Sequence, residues 1–221
     1  GQGFFLKQGK EILELNPTTL EYETRKKLKA PSLEIAKQQK GTANKLKALL
    51  YSKDRVGELL WNITSPTLIY SADLLGTIAD DIVAIDNAMK WGFGWQQGPF
   101  EIWDAIGVEK SVAKMKEEGK EVPAWVVQMV ADGSTSFYKE VYGDVYFYSN
   151  GEYKALEQNP KVINLKQLKQ KNGVIKKNSG ASLIDLGDGV ALLEFTSPNN
   201  AIGFDIIQMI NFSIDEVEKN Y

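Results

Sequence analysis

The chain contains no cysteine and no histidine. Lacking cysteine, it can build neither a disulfide framework nor a thiolate metal site. Lacking histidine, it has lost the commonest general base near neutral pH and the commonest metal ligand. Serine–histidine and cysteine–histidine nucleophile pairs are therefore excluded outright. No apolar run approaches the ~20 residues of a membrane span, and no stretch reads as a secretory signal. The net charge of −3 is small and of the wrong sign for bulk attraction to nucleic acid or anionic lipid.

What remains is an ordinary globular composition, 43% hydrophobic and 25% charged over 221 residues, enough for one good core or two small ones. The chain starts at Gly1 and stops at Tyr221 inside a helical pattern, which predicts a piece of something longer. Residues 1–22 carry Phe4-Phe5-Leu6, Ile12, Leu13 and Leu15 before the turn signal Asn16-Pro17, with no evident packing partner. Across residues 25–55 ten Lys or Arg face only Glu34 and Asp54. Such a run could meet phosphates. It lacks aromatic residues interleaved for base stacking, so a solvated face of two helices, 32–40 and 42–51, is favoured.

Asp54 is placed to cap a long helix reaching about residue 79, whose Val56, Leu59, Leu60, Ile63 and Leu68 recur at helical spacing. Pro66 predicts a kink in it. Asp80 or Asp81 caps the next helix, where paired acids favour the macrodipole and need no catalytic explanation. Short helices follow over 99–106, 109–118 and 123–131, with Trp125, Val126 and Met129 spaced to face a core. Val145-Tyr146-Phe147-Tyr148 and the Asn150-Gly151 turn predict a hairpin. Residues 157–180, with Pro160, Gly173 and Gly180, read as a linker. A second hairpin turns at Gly187-Asp188-Gly189, and 204–220 is helical. One hairpin and one helix cannot bury their own apolar faces well, so 181–221 reads as the opening of a larger domain. The expected fold class is mainly α, a helical bundle with β-hairpins near 145–155 and 181–196.

The most informative stretch is Ile85 to Gly107. Gly92 and Gly94 are placed to stop a helix in the left-handed region, and Gly98-Pro99 restarts one. Phe93, Trp95, Phe100 and Trp103 are expected to pack around that corner. On residues alone this is a rigid joint without chemistry.

The same stretch resembles the C-terminal helical domain of NAD-dependent 3-hydroxyacyl-CoA dehydrogenases. Asp86, Ala88-Met89, Gly92-Phe93-Gly94, Gly98-Pro99-Phe100-Glu101 and Asp104 follow that family's order. Gly1-Gln2-Gly3-Phe4-Phe5 with Lys7 is similar to the segment following its nucleotide-binding domain. Residues 181–195 with Asn200-Ala201 resemble the opening of a crotonase-like enoyl-CoA hydratase. Together they resemble the fused dehydrogenase–hydratase enzymes of fatty-acid β-oxidation, and the helical unit resembles the second of their two copies.

The resemblance implies a division into 1–31, the tail of a preceding dehydrogenase module; 32–140, the helical domain; 141–180, hairpin and linker; and 181–221, a truncated hydratase start. It implies that NAD is held by a domain outside this sequence, that no residue here is catalytic, and that none binds a cofactor or metal. It implies acyl-CoA as substrate of the parent enzyme, with partners in the upstream nucleotide-binding domain, the downstream hydratase domain and a possible second copy, and a cytoplasmic location without nucleic acid or membrane. Asn62 matches an asparagine that lies near the family's catalytic histidine. The loop 197–201 matches the region near the CoA nucleotide, with Asn199 where a basic residue is common. A helical protein-interaction module without CoA chemistry is the competing reading, and nucleic-acid binding through 24–55 a third that salt-independent binding would sink.

Overall fold

The computed structural model describes residues 3–26, 28–157, 159 and 161–221. Gly1 and Gln2 of the N-terminal motif, Lys27 of the basic run and Pro160 of the linker lie outside the described residues. The chain divides into two compact units, Gly1–Ile69 and Tyr70–Tyr221.

The first unit opens on a three-stranded antiparallel sheet, β1 (Phe5–Gln8), β2 (Glu11–Leu15) and β3 (Tyr22–Thr24). The segment expected to lack a partner thus pairs with itself. Asn16 turns β2 into β3 by accepting the Thr18 and Thr19 amides on its side-chain oxygen. Helices α1 (Pro31–Gln38) and α2 (Thr42–Leu50) follow close to their expected bounds. Asp54 does more than cap one helix. One carboxylate oxygen accepts the Gly57 amide at 2.9 Å in the first turn of α3 (Arg55–Asp73), and the other accepts the Ser32 amide at 2.8 Å at the start of α1. Those two bonds hold its carboxyl below the usual carboxylate range.

α3 is continuous through Pro66 and stops at Asp73, short of the expected residue 79. Leu75 and Ala79 bridge across a turn instead, with Gly76 in the left-handed region at φ +79°, and this ends the helical path.

The second unit begins with α4 (Ile82–Phe93), α5 (Pro99–Ile106), α6 (Val108–Glu117) and α7 (Ala124–Ala131). Asp81, not Asp80, caps α4 by accepting the Ala84 amide at 2.7 Å. A sheet of β4 (Tyr138–Val141), β5 (Asp144–Ser149) and β6 (Glu152–Ala155) follows, with Asn150 and Gly151 both at positive φ in the expected hairpin turn. The supposed linker contains a helix, α8 (Leu165–Asn172), tied to the sheet by Lys166–Glu140 and Lys171–Asp144 pairs at 2.5 and 2.7 Å. The last sheet is β7 (Lys176–Lys177), β8 (Ala181–Gly187) and β9 (Val190–Phe195), packed by α9 (Phe204–Asn220). Ala181, Leu183, Ile206 and Met209 make its small core, while Phe204, Ile207, Ile214 and Val217 stay exposed.

The described residues thus form a mixed α/β fold of nine α-helices and three small antiparallel sheets, not the mainly α bundle expected. The strands that sequence reading missed are two to five residues long and rich in charge, so they lack the alternating apolar face by which strands are recognised.

Candidate functional site

The Ile85 to Gly107 corner is built around two carboxylates. Pro99 opens α5 as its first residue, and the preceding Gly98 has no side chain to cap it. Asp86, on the buried face of α4, supplies the missing cap from fourteen residues away. Its oxygens accept the Phe100 amide at 2.8 Å, the Glu101 amide at 3.2 Å and the Tyr138 hydroxyl at 2.8 Å. Glu101 completes the turn by accepting the Gly98 amide at 2.8 Å and pairing with Lys90 at 2.6 Å. Asp104, one turn further on, accepts the Phe137 and Tyr138 amides at 2.7 and 2.8 Å. The two carboxylates together fasten α4, α5 and the start of β4.

An aromatic cluster fills the space this creates. Phe137 sits 5.0 Å from Phe100, 5.3 Å from Trp103 and 5.8 Å from Trp125, centroid to centroid. Phe100, Trp103 and Phe137 are fully buried. The Trp103 indole is satisfied by Ser111 at 2.6 Å, as a buried N–H requires.

Several expected placements need correction. Phe93 is 75% exposed and Trp95 38% exposed, so neither packs the corner as expected. Phe137, which the local sequence could not place there, occupies the core side instead. Gly92 is an ordinary helical residue of α4, and only Gly94 takes the left-handed conformation, at φ +67°. Gly98 is required for space rather than for φ. A Cβ there would lie 2.3–2.4 Å from Asp86 atoms, backbone included. Asn62 stands exposed on α3, in the other unit. Pro66 removes the donor that would have bonded the Asn62 carbonyl within the helix.

Burial first, and then the negative charges nearby, push both carboxyls up, Asp86 to about 6 and Asp104 to about 7, against the bonds they accept. The same burial and the facing carboxylates hold the Tyr138 phenol far above its usual range, so it remains a neutral donor. Carboxyls raised this way are often general bases. Here Asp86 is sealed and its oxygens are occupied by backbone and Tyr138 donors, which makes the site a latch. The sign of its pH dependence follows. An unfolded carboxyl titrates near ~3.9, so between about pH 4 and 7 the folded chain binds more protons than the unfolded one. Stability contributed by these groups is fully present at the acid end of that window and falls as pH rises through it. Urea midpoints of the Tyr70–Tyr221 unit should be higher near about pH 5 than near about pH 8, and Asp104→Asn should flatten the difference. A midpoint that instead rises with pH would refute the assignment.

No three His, Cys, Asp or Glu among the described residues are grouped to hold a metal ion, and no described helix is long and apolar enough to cross a membrane. A dinucleotide cradle needs glycines between a strand and a helix N-terminus. Gly92 and Gly94 instead lie at the end of a helix, and Gly187 and Gly189 flank a hairpin turn. These residues do not fit NAD.

No family model matches the chain, and no solved structure does. It is 60% identical over all 221 residues to a "Probable 3-hydroxyacyl-CoA dehydrogenase" of Bacillus subtilis, of which it covers 28%. It is 23% identical over 183 residues, 80% of the chain and 22% of the relative, to a Rickettsia felis protein provisionally named a fatty acid oxidation complex trifunctional enzyme. A protein of the same name from Rickettsia prowazekii is 36% identical over 59 residues, 27% of this chain and 8% of its own length. The chain therefore spans less than a third of the curated relatives it matches, and along its whole length it is homologous to part of a protein named as a 3-hydroxyacyl-CoA dehydrogenase.

Proposed function

We propose that the chain is a non-catalytic part of a fused β-oxidation enzyme that oxidises 3-hydroxyacyl-CoA to 3-oxoacyl-CoA with NAD and hydrates 2-enoyl-CoA. The observation that supports the dehydrogenase part of this reading is the 60% identity over all 221 residues to a protein named as a probable 3-hydroxyacyl-CoA dehydrogenase. Residues 32–140 serve as a helical module like the dehydrogenase C-terminal domain, following a tail at 1–31. Residues 141–180 connect it to 181–221, the start of a crotonase-like hydratase. NAD belongs to a domain outside these residues, and the setting is cytoplasmic.

The chemistry of the residues supports a positioning role. There is no imidazole, and the two carboxyls with raised pKa are committed to backbone amides. Asn62, exposed on α3, is the residue we assign to touch substrate in the longer protein. Trp91, 81% exposed, and Phe93 beside the latch give the module an apolar surface for association, whether with its own flanking domains or a second copy.

Residues 1–221 alone should form no NADH from 3-hydroxybutyryl-CoA and NAD, whereas the longer protein containing them should. Turnover by the 221 residues would overturn the non-catalytic assignment, and an inactive longer protein would overturn the enzymatic one. In the longer protein Asn62→Ala should raise KM by about tenfold if a hydrogen bond to substrate is lost.

A further inference from the structure

A cleft of about 500 Å³ opens between the Leu75–Asp80 turn, α7 and the β5–β6 turn, away from the carboxylate latch. Its volume falls within the range of small-ligand sites. Two of its walls are preorganised. The Trp125 indole donates to the Ala72 carbonyl at 3.2 Å, and the Tyr148 amide donates to the Phe137 carbonyl at 2.7 Å. The two rings stack within 15° of parallel, 6.5 Å apart.

The charged groups of the cleft share one sign. Asp80 and Asp132 line it, and no lysine or arginine does. Asp132 accepts a bond from Gln128 at 2.7 Å, and neither acid has an ion pair among the described residues. Tyr148 adds an independent feature. Only 6% of it is exposed, it lines the cleft, and its hydroxyl has no hydrogen-bond partner among the described residues. Burial, and after it the charge of Asp132, push this phenol above its usual range, which keeps the hydroxyl protonated and places it in the field of that carboxylate. The hydroxyl is not sealed from solvent, and without a protein partner it is open to bond a group held in the cleft.

We propose that this cleft binds a small organic cation, an alkylammonium or guanidinium on a short carbon chain. Asp80 and Asp132 supply the counter-charge, the Tyr148 oxygen accepts one N–H of the ligand, and the stem rests against Trp125. Aromatic walls and carboxylates without a resident cation are the combination that favours such a ligand over an anion or a neutral one. A free cation and the lysine or arginine side chain of a partner peptide present the same group to the same atoms.

Agmatine titrated into the full chain, followed by calorimetry and by the Trp125 indole N–H resonance, should bind saturably at one site. Its neutral analogue butylurea should not bind. Asp132→Asn and Asp80→Asn, both at exposed positions, should each weaken binding by about tenfold, and Tyr148→Phe, which keeps the buried ring, by a few-fold. A neutral pentapeptide with one central arginine separates the sources: tighter binding than agmatine assigns the cleft to a partner side chain, and weaker binding to a free cation. No saturation by either probe up to about 10 mM, or binding indifferent to both Asp→Asn changes, overturns the proposal and leaves water as the Tyr148 partner.

Discussion

Asp86→Ala is expected to destabilise the Tyr70–Tyr221 unit by about 3–5 kcal/mol, enough to unfold it in a marginally stable chain. The effect does not come from lost packing, since the removed carboxylate is small. It comes from what the carboxylate leaves behind. The Phe100 and Glu101 amides and the Tyr138 hydroxyl all donate to it, and Asp86 is fully buried, so water cannot replace it without opening the corner. Each orphaned buried donor costs about 1–3 kcal/mol. Asp86→Asn should fall between, because the amide oxygen can still accept while its NH2 must face a donor. Near-ultraviolet circular dichroism reports the loss through Trp103 and its neighbours, and urea unfolding measures it. A change below about 1 kcal/mol would show that the corner does not depend on this cap.

Gly98→Ala is expected to cost a similar amount, about 3 kcal/mol or more, for a steric reason. The new methyl would meet the Asp86 carboxylate at 2.3 Å and its Cα and Cβ at 2.4 Å. A flexible side chain could swing away, but the Cα cannot, so α4 and α5 must separate. That movement stretches the same bonds Asp86→Ala deletes, and the two substitutions should combine to less than their sum. Additive losses in the double variant would mean that Gly98 and Asp86 act through different contacts. Gly92→Ala is the control. Nothing lies within 4 Å of a Cβ there, and helical propensity favours the change by up to about 1 kcal/mol.

Features whose cause is local were legible in the sequence. Asp54 as a cap, Asn150-Gly151 as a hairpin turn, Pro99 as a helix start and 204–220 as a helix all follow from residues within four positions of one another. What failed depended on partners far along the chain. Phe137 fills the corner from 33 positions beyond Asp104, the separation across which that carboxylate binds its amide, and no local pattern marks it for that role. Phe93 and Trp95 looked like core residues because they are large and apolar, yet size alone does not say which side of a corner is already occupied. α8 was unreadable for the opposite reason. Its sequence, LKQLKQKN, is so polar that only Glu140 and Asp144 on the neighbouring sheet make it a docked helix rather than a linker. The resemblance of 85–107 to the dehydrogenases rests on Gly92 to Gly94, Gly98 to Glu101 and Asp104, and it did not disclose the hydrogen-bonded latch that Asp86, Glu101 and Asp104 form.

The position of Tyr138 bears on how the chain matures. α4 and α5 are complete by Ile106, but Asp86 and Asp104 face the backbone and hydroxyl of residues that follow more than thirty positions later. During synthesis at about 5–20 residues per second, those helices leave the ribosome seconds before their fastener does. Over that interval Asp104 lacks both of its amide partners, and the faces of Phe100 and Trp103 that Phe137 covers stand open. Docking of β4 therefore closes the helical layer late, and a loop closure of this length ties the folding rate to a non-local contact. Chains released before Tyr138 would carry the Asp86 bonds between the two helices and still lack the contacts of Phe137 and Tyr138 that complete the latch.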